Sequence, residues 1–125
     1  MTIRNEGLTK TYAAGAAVAA RRLVKFGADD RTVIQGAAAG DSIIGVSGLG
    51  AANGERLDVI LTEIPTVEYG GTITRGQLVI SDSDGRAIAA TAAAGTNVRT
   101  AGIAMVSGVS GDLGAVLLSP GSFQG

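Results

Sequence analysis

Apolar and polar residues alternate in short runs along most of this chain, the period-two pattern of half-buried β-strands. Val18, Ala20, Arg22, Val24 and Phe26 share one side of the first clear run. Ala, Leu, Arg and Lys in residues 13–26 favour helix by propensity. The alternation, and a matching stretch around Ile73, Gly76, Val79 and Ile80 that would make a poor helix, favour a strand from about Ala19. A turn at Ala28-Asp29-Asp30-Arg31 leads to a return strand at Thr32-Val33-Ile34. Further strands are predicted over residues 43–47 and 57–61, where Leu57, Val59 and Leu61 alternate with Asp58, Ile60 and Thr62. Pro65 ends that run or marks an edge. Residues 66–74 read as strand, Gly-Gly turn and strand; strands then follow at 78–80, 87–89, 101–106 and 115–118. Pro120 is expected to stop the last strand, leaving residues 119–125 as a tail with Phe123 as an anchor.

Residues 1–15 carry no steady period, since Ile3, Leu8 and Tyr12 fit neither a helical stripe nor a strand. An extended N-terminal arm is expected there, with Tyr12 as its anchor because aromatics are scarce.

The pattern occurs twice. Residues 23–40 align without a gap on residues 78–95, an offset of 55. Leu23-Val24 meets Leu78-Val79, Asp29 meets Asp84 and Arg31 meets Arg86. The match resumes at an offset of 57, where Gly45-Val46 meets Gly102-Ile103 and Val59-Ile60-Leu61 meets Val116-Leu117-Leu118. This is an internal duplication, with repeats at about 18–64 and 73–120. Half a chain of this length buries little apolar surface alone, so the halves are expected to share one core. The fold class is therefore all-β: a small β-barrel or sandwich of two duplicated halves, comprising an arm over residues 1–15 and one β domain over 16–125.

Composition narrows the function classes. Net charge is −1, so no basic field is present to hold nucleic acid. Cysteine and histidine are both absent, which removes disulfides, thiol chemistry and the commonest general base and metal ligand. No targeting or membrane-spanning run is visible, and neither nucleic acid nor membrane is expected as a partner. Mean hydropathy is positive at +0.33, which favours a protein that covers part of its surface with a partner.

Candidate chemistry is sparse. Asp82-Ser83-Asp84-Gly85 opens like a calcium loop, but no Glu follows it to close the ligand set, so it reads as a turn. Gly48-Leu49-Gly50-Ala51-Ala52-Asn53-Gly54 is glycine-rich, yet Glu55 follows where a phosphate cradle needs Lys and Ser or Thr. Ser47 and Ser107 have no base to activate them. No catalytic residue, cofactor site or metal site is predicted. Arg21, Arg22 and Lys25 form the one basic cluster, read either as a solvated edge or as ion-pair donors to an acidic partner.

Several segments together resemble a known family. They are Arg22-Leu23-Val24-Lys25-Phe26-Gly27, Ile44-Gly45-Val46-Ser47-Gly48, Gly54-Glu55-Arg56-Leu57-Asp58-Val59, Gly70-Gly71-Thr72-Ile73-Thr74-Arg75-Gly76-Gln77-Leu78-Val79, Ser81-Asp82-Ser83-Asp84-Gly85-Arg86-Ala87 and Gly102-Ile103-Ala104. The chain resembles the capsid cement or head decoration proteins of tailed bacteriophages over about residues 16–120. That resemblance implies a small β protein, made in the bacterial host cytoplasm, that sits on the outer capsid surface of the virion. It would bridge major capsid protein subunits, stabilise the shell and self-associate as a trimer, or alternatively a dimer. Under that reading the expected capsid contacts are Ile3, Arg4, Leu8 and Tyr12 on the arm and Arg21 and Arg22 on the body, and deleting residues 1–12 should leave the fold intact. Two alternatives stand beside it. One is a lipoyl- or biotinyl-like carrier module, which needs an exposed Lys at a hairpin and has only Lys10 and Lys25 to offer. The other is a different phage part, a head-fibre base or tail component.

Overall fold

A computed structural model describes residues 5–125. The described residues form strands and turns, in the order β1 (Asn5–Glu6), β2 (Thr9–Ala14), β3 (Leu23–Phe26), β4 (Thr32–Gln35), β5 (Ile43–Ser47), β6 (Arg56–Ile60), β7 (Glu63–Ile64), β8 (Thr66–Glu68), β9 (Leu78–Ser81), β10 (Ala87–Ala89), β11 (Asn97–Ala104) and β12 (Leu113–Gln124). The chain is all-β, as the alternation requires.

The first half closes into a five-stranded barrel, β2-β4-β3-β5-β6, and the second forms a sheet in the order β10-β9-β11-β12-β8. The two are one topology used twice. Tyr12 pairs Leu57 as Val67 pairs Gly114, and Leu23 pairs Val46 as Leu78 pairs Ile103. The parallel contact that closes the first barrel, Ala14 with Val33, recurs as a single parallel bridge between Tyr69 and Ala87. The bridge between Val18 and Ala51 recurs between Ile73 and Gly108. Even the left-handed backbone repeats: Gly54 (φ 87°) matches Gly111 (φ 93°), and Arg21 (φ 58°) stands where the second half has Gly76 (φ 92°).

The equivalence slips by one residue at one turn. Phe26 pairs Val33 in the first half, but Ser81 pairs Ala87 in the second, so Val33 corresponds to Ala87 at an offset of 54. Both are fully buried. The aligned Arg31 and Arg86 are therefore not structural equivalents; the turn before β4 is one residue longer.

The interiors differ in residue type at equivalent positions. The first barrel encloses Tyr12, Ala14, Val18, Val24, Val33, Leu57 and Val59. The second has Val67 for Tyr12, Tyr69 for Ala14 and Gly114 for Leu57. A Cβ on Gly114 would overlap the Tyr69 ring, so the ring fills the space that Leu57 fills in the first barrel. Gly45 and Gly102 are equivalent too, and a Cβ on either would press on a facing backbone carbonyl, Ile60 or Leu117.

The halves are fused by a common cluster in which Leu23, Ile43 and Val46 of the first pack with Val79, Ala101, Ala104 and Val116 of the second. The Leu23 amide donates to the Gly85 carbonyl at 2.7 Å across this joint.

Two expectations are corrected here. Thr9–Ala14 is not an arm: it is a barrel strand paired along its length with β6 and the equivalent of β8, which the sequence had marked only as a joint. The period was obscured because exposed Lys10 shares a side with buried Tyr12 and Ala14, while apolar Ala13 lies on the side of Thr9 and Thr11. Pro120 does not stop the last strand: β12 continues to Gln124 and pairs with β11 down to Asn97. Ser119 and Pro120 lie in a bulge opposite Ala101, where the missing proline N–H costs no ladder bond.

Candidate interaction surface

The expected contact residues that the structure describes, Leu8, Tyr12, Arg21 and Arg22, have different settings. Ile3 and Arg4 lie outside the described residues. Leu8 is 64% exposed, with its amide donating to Thr62 Oγ1 at 2.8 Å, so its side chain is free to meet a partner. Tyr12 is the opposite case and corrects the anchor expectation: it is 6% exposed, edge-on to Phe26 with ring centroids 6.0 Å apart, and is part of the first core.

The basic cluster is engaged within the chain. Arg21 Nη1 meets Glu6 Oε2 at 2.6 Å and Lys25 Nζ meets Asp41 Oδ2 at 2.9 Å. Arg22 donates from Nη1 to the Asp84 carbonyl at 2.7 Å and from Nη2 to Glu68 at 3.4 Å, while its Nε is buried without a partner. Arg86 continues the network to Asp82 at 3.0 Å. Arg22 is therefore a clamp between the two halves, a role that the run Arg21-Arg22-Leu23 does not reveal.

Partial burial opposes ionisation of Asp41, but the Ala37 amide, Lys25 and the Ala38 amide outweigh it and hold the carboxyl below its ordinary 3.8. A lowered folded-state value contributes stability above the unfolded pKa, which is lost as pH falls through the folded one. Asp41→Asn should therefore lower the melting temperature at neutral pH, with the deficit shrinking at about pH 2.5. Thermal unfolding at the two pH values checks this; an unchanged deficit would mean that charge is not the cause.

The remaining sequence candidates are structural. Asp82 Oδ1 accepts the Asp84 and Arg86 amides, each at 2.8 Å, which is the geometry of a turn. Ser47 Oγ donates to the Ala19 carbonyl at 2.7 Å and is buried. Burial, with Asp112 nearby, pushes the Tyr69 phenol up, and its hydroxyl donates to the Val106 carbonyl at 2.8 Å. Among the described residues no group of three or more His, Cys, Asp or Glu could hold a metal ion.

What the surface does offer is contact area. A shallow groove of about 420 Å³ is lined by Lys10, Thr11, Tyr12, Asp30, Arg31 and Arg56. Lys10 lies 5.2 Å from the Tyr12 ring centroid. Exposed large apolar residues are Leu8, Phe26, Leu49, Met105, Val109 and Leu113. The outward positions of β11 and β12 carry an apolar row that sequence reasoning missed, because it becomes a face only when the strands pair.

The closed barrel and the sheet that repeats its topology present exposed apolar residues and a groove with Lys10, Arg31 and Arg56. The sequence pattern of the phage cement proteins matches residues 3–119. The chain belongs to the phage cement protein family. This cement protein is thus a phage structural protein. Its fold is similar to that of the N base of the head fibre gp8.5 of bacteriophage phi29, with a TM-score of 0.69, 22% identity, and coverage of 90% of this chain and 93% of that one. No curated protein matches the chain.

Proposed function

We propose that this cement protein binds the outer surface of a phage capsid, bridges major capsid protein subunits and stabilises the shell without catalysis. The observation that carries the reading is the family match over nearly the whole chain. The chemistry supports it: the sequence has no histidine or cysteine, and the described surface offers apolar residues and a groove with three cations. Lys10, Arg31 and Arg56 form no ion pair among the described residues, so they are free to meet carboxylates of a partner. The contact set of this reading is Leu8 and that groove, with Ile3 and Arg4 ahead of them; Tyr12 supports the groove from beneath. Self-association, as a trimer or alternatively a dimer, lets each copy touch several subunits, and repetition over a shell makes modest contacts count.

The test is co-sedimentation of the purified protein with undecorated expanded shells. Saturation at a simple fraction of the shell subunits is expected. Leu8→Asp should weaken binding about tenfold without shifting the melting temperature. No co-sedimentation at any concentration would overturn the reading. Saturation at a few copies per particle would instead favour a head-fibre base, the part in which the phi29 relative of this fold is found.

A further inference from the structure

The duplication makes one surface of the molecule interpretable. In the first barrel Leu23, Val46 and Ile60 form an in-register row across β3, β5 and β6. Their neighbours Val24 and Val59 point into the barrel, so the row lies on the outside. It is nevertheless buried, with all three residues at 3% exposure or less. Leu23 and Val46 are in one cluster with the second half, which identifies the row as the face by which the first barrel docks.

The repeat carries that row onto Leu78, Ile103 and Leu117, which are in register across β9, β11 and β12. Here the three side chains are only half-buried. The surroundings differ in one direction. Where the buried row has Arg22, Gly48, Arg56 and Asp58, the open row has Gln77, Met105, Leu113 and Ala115. The charges are gone, and Met105 and Leu113 add apolar surface that is 43% and 60% exposed. A docking face that is more apolar than its buried twin is the composition of an interface core.

The twin also says what fits. The first barrel docks at the second-barrel site marked by Ser81, Gly85 and Ala87: a Cβ on Gly36 would press on Ser81 Oγ, and one on Gly85 would crowd Gln35 and the Leu23 carbonyl. The matching site on the first barrel is marked by Phe26 and Val33; Val33 is buried in the barrel core, but Phe26 beside it is 49% exposed. We propose that a second copy of this chain docks head to tail, its Phe26 end against the Leu78–Ile103–Leu117 row of the first. Such a contact extends the barrel-on-barrel relation from one chain to the next. Because the two surfaces differ, the contact is heterologous and must close into a ring or run on as a fibre. The proposal rests on the self-association part of the reading above and is independent of capsid binding.

The chain has no cysteine, so engineered thiols report contacts cleanly. Phe26→Cys and Ile103→Cys are made separately, mixed and oxidised. A disulfide between the two variants, faster than either variant forms with itself, is expected. Light scattering of the unmodified protein at about 50 µM should give a mass above the monomer, and Ile103→Asp should raise the dissociation constant about 100-fold while the variant keeps the circular dichroism spectrum of the folded chain. Ile103→Cys that links chiefly to itself would show a symmetric contact and overturn the head-to-tail mode. A monomer by light scattering would overturn the second copy as occupant. Shell co-sedimentation of the unmodified protein, run alongside, separates either failure from a failure of capsid binding.

Discussion

A chain lacking residues 1–12 does not fold its first barrel. The deletion takes Thr9–Tyr12 from β2, most of a ladder that runs Thr9–Ala13 against Arg56–Ile60. It also takes Tyr12 from a core that holds few large side chains. Removing a buried aromatic alone costs about 3–5 kcal/mol. Opening the barrel strands β6 along that whole edge and leaves its backbone groups unpaired. Against a total stability of about 5–15 kcal/mol, the native state is not retained. Circular dichroism and thermal unfolding should show loss of the cooperative transition. Deleting only residues 1–7 should keep that transition, because the ladder of β2 and β6 starts at Thr9. A folded protein after the longer deletion would show that β2 is dispensable. The shorter deletion is the one that can test shell binding by the N-terminal residues.

Tyr69→Ala should be the most damaging single side-chain truncation. Tyr69 is the largest fully buried side chain, packs where Gly108 and Gly114 have no Cβ, and donates to the Val106 carbonyl at 2.8 Å. The expected loss is about 3–5 kcal/mol, with a cavity that two glycines cannot collapse to fill. Tyr69→Phe keeps the ring and removes the hydroxyl, for about 1 kcal/mol. Chemical denaturation of both variants separates ring from hydroxyl. A Tyr69→Ala loss no larger than that of Tyr69→Phe would refute the packing account. Leu57→Gly makes the informative comparison in the first barrel, since Leu57 occupies the place of Gly114.

The duplication was legible where both halves kept the same residues for the same reason. Leu23-Val24 and Leu78-Val79 are paired strand starts, and Gly45 and Gly102 both avoid a facing carbonyl. It was illegible where the halves solve one packing problem differently. Tyr12 with Leu57, and Tyr69 with Gly114, fill equivalent spaces from different strand positions, so no alignment of residue types links β2 to β8. This is why the first strand read as an arm and Tyr12 as an exposed anchor. The ion pairs of Arg21 and Arg22 within the chain were illegible for another reason. Their partners Glu6, Glu68 and Asp84 come from other parts of the chain, and a cation's availability depends on what folds beside it.

The sequence by itself determined an all-β chain, its two-fold internal repetition, the absence of histidine and cysteine chemistry, and the resemblance to phage cement proteins. Those follow from local periodicity and composition, which need no knowledge of neighbours in space. Only the tertiary structure decided that two five-stranded units pack face to end, that Arg22 clamps them, and that the row Leu23–Val46–Ile60 is buried while Leu78–Ile103–Leu117 is open. Side chains on three paired strands become one surface only through register, and register is set by pairings distant in sequence.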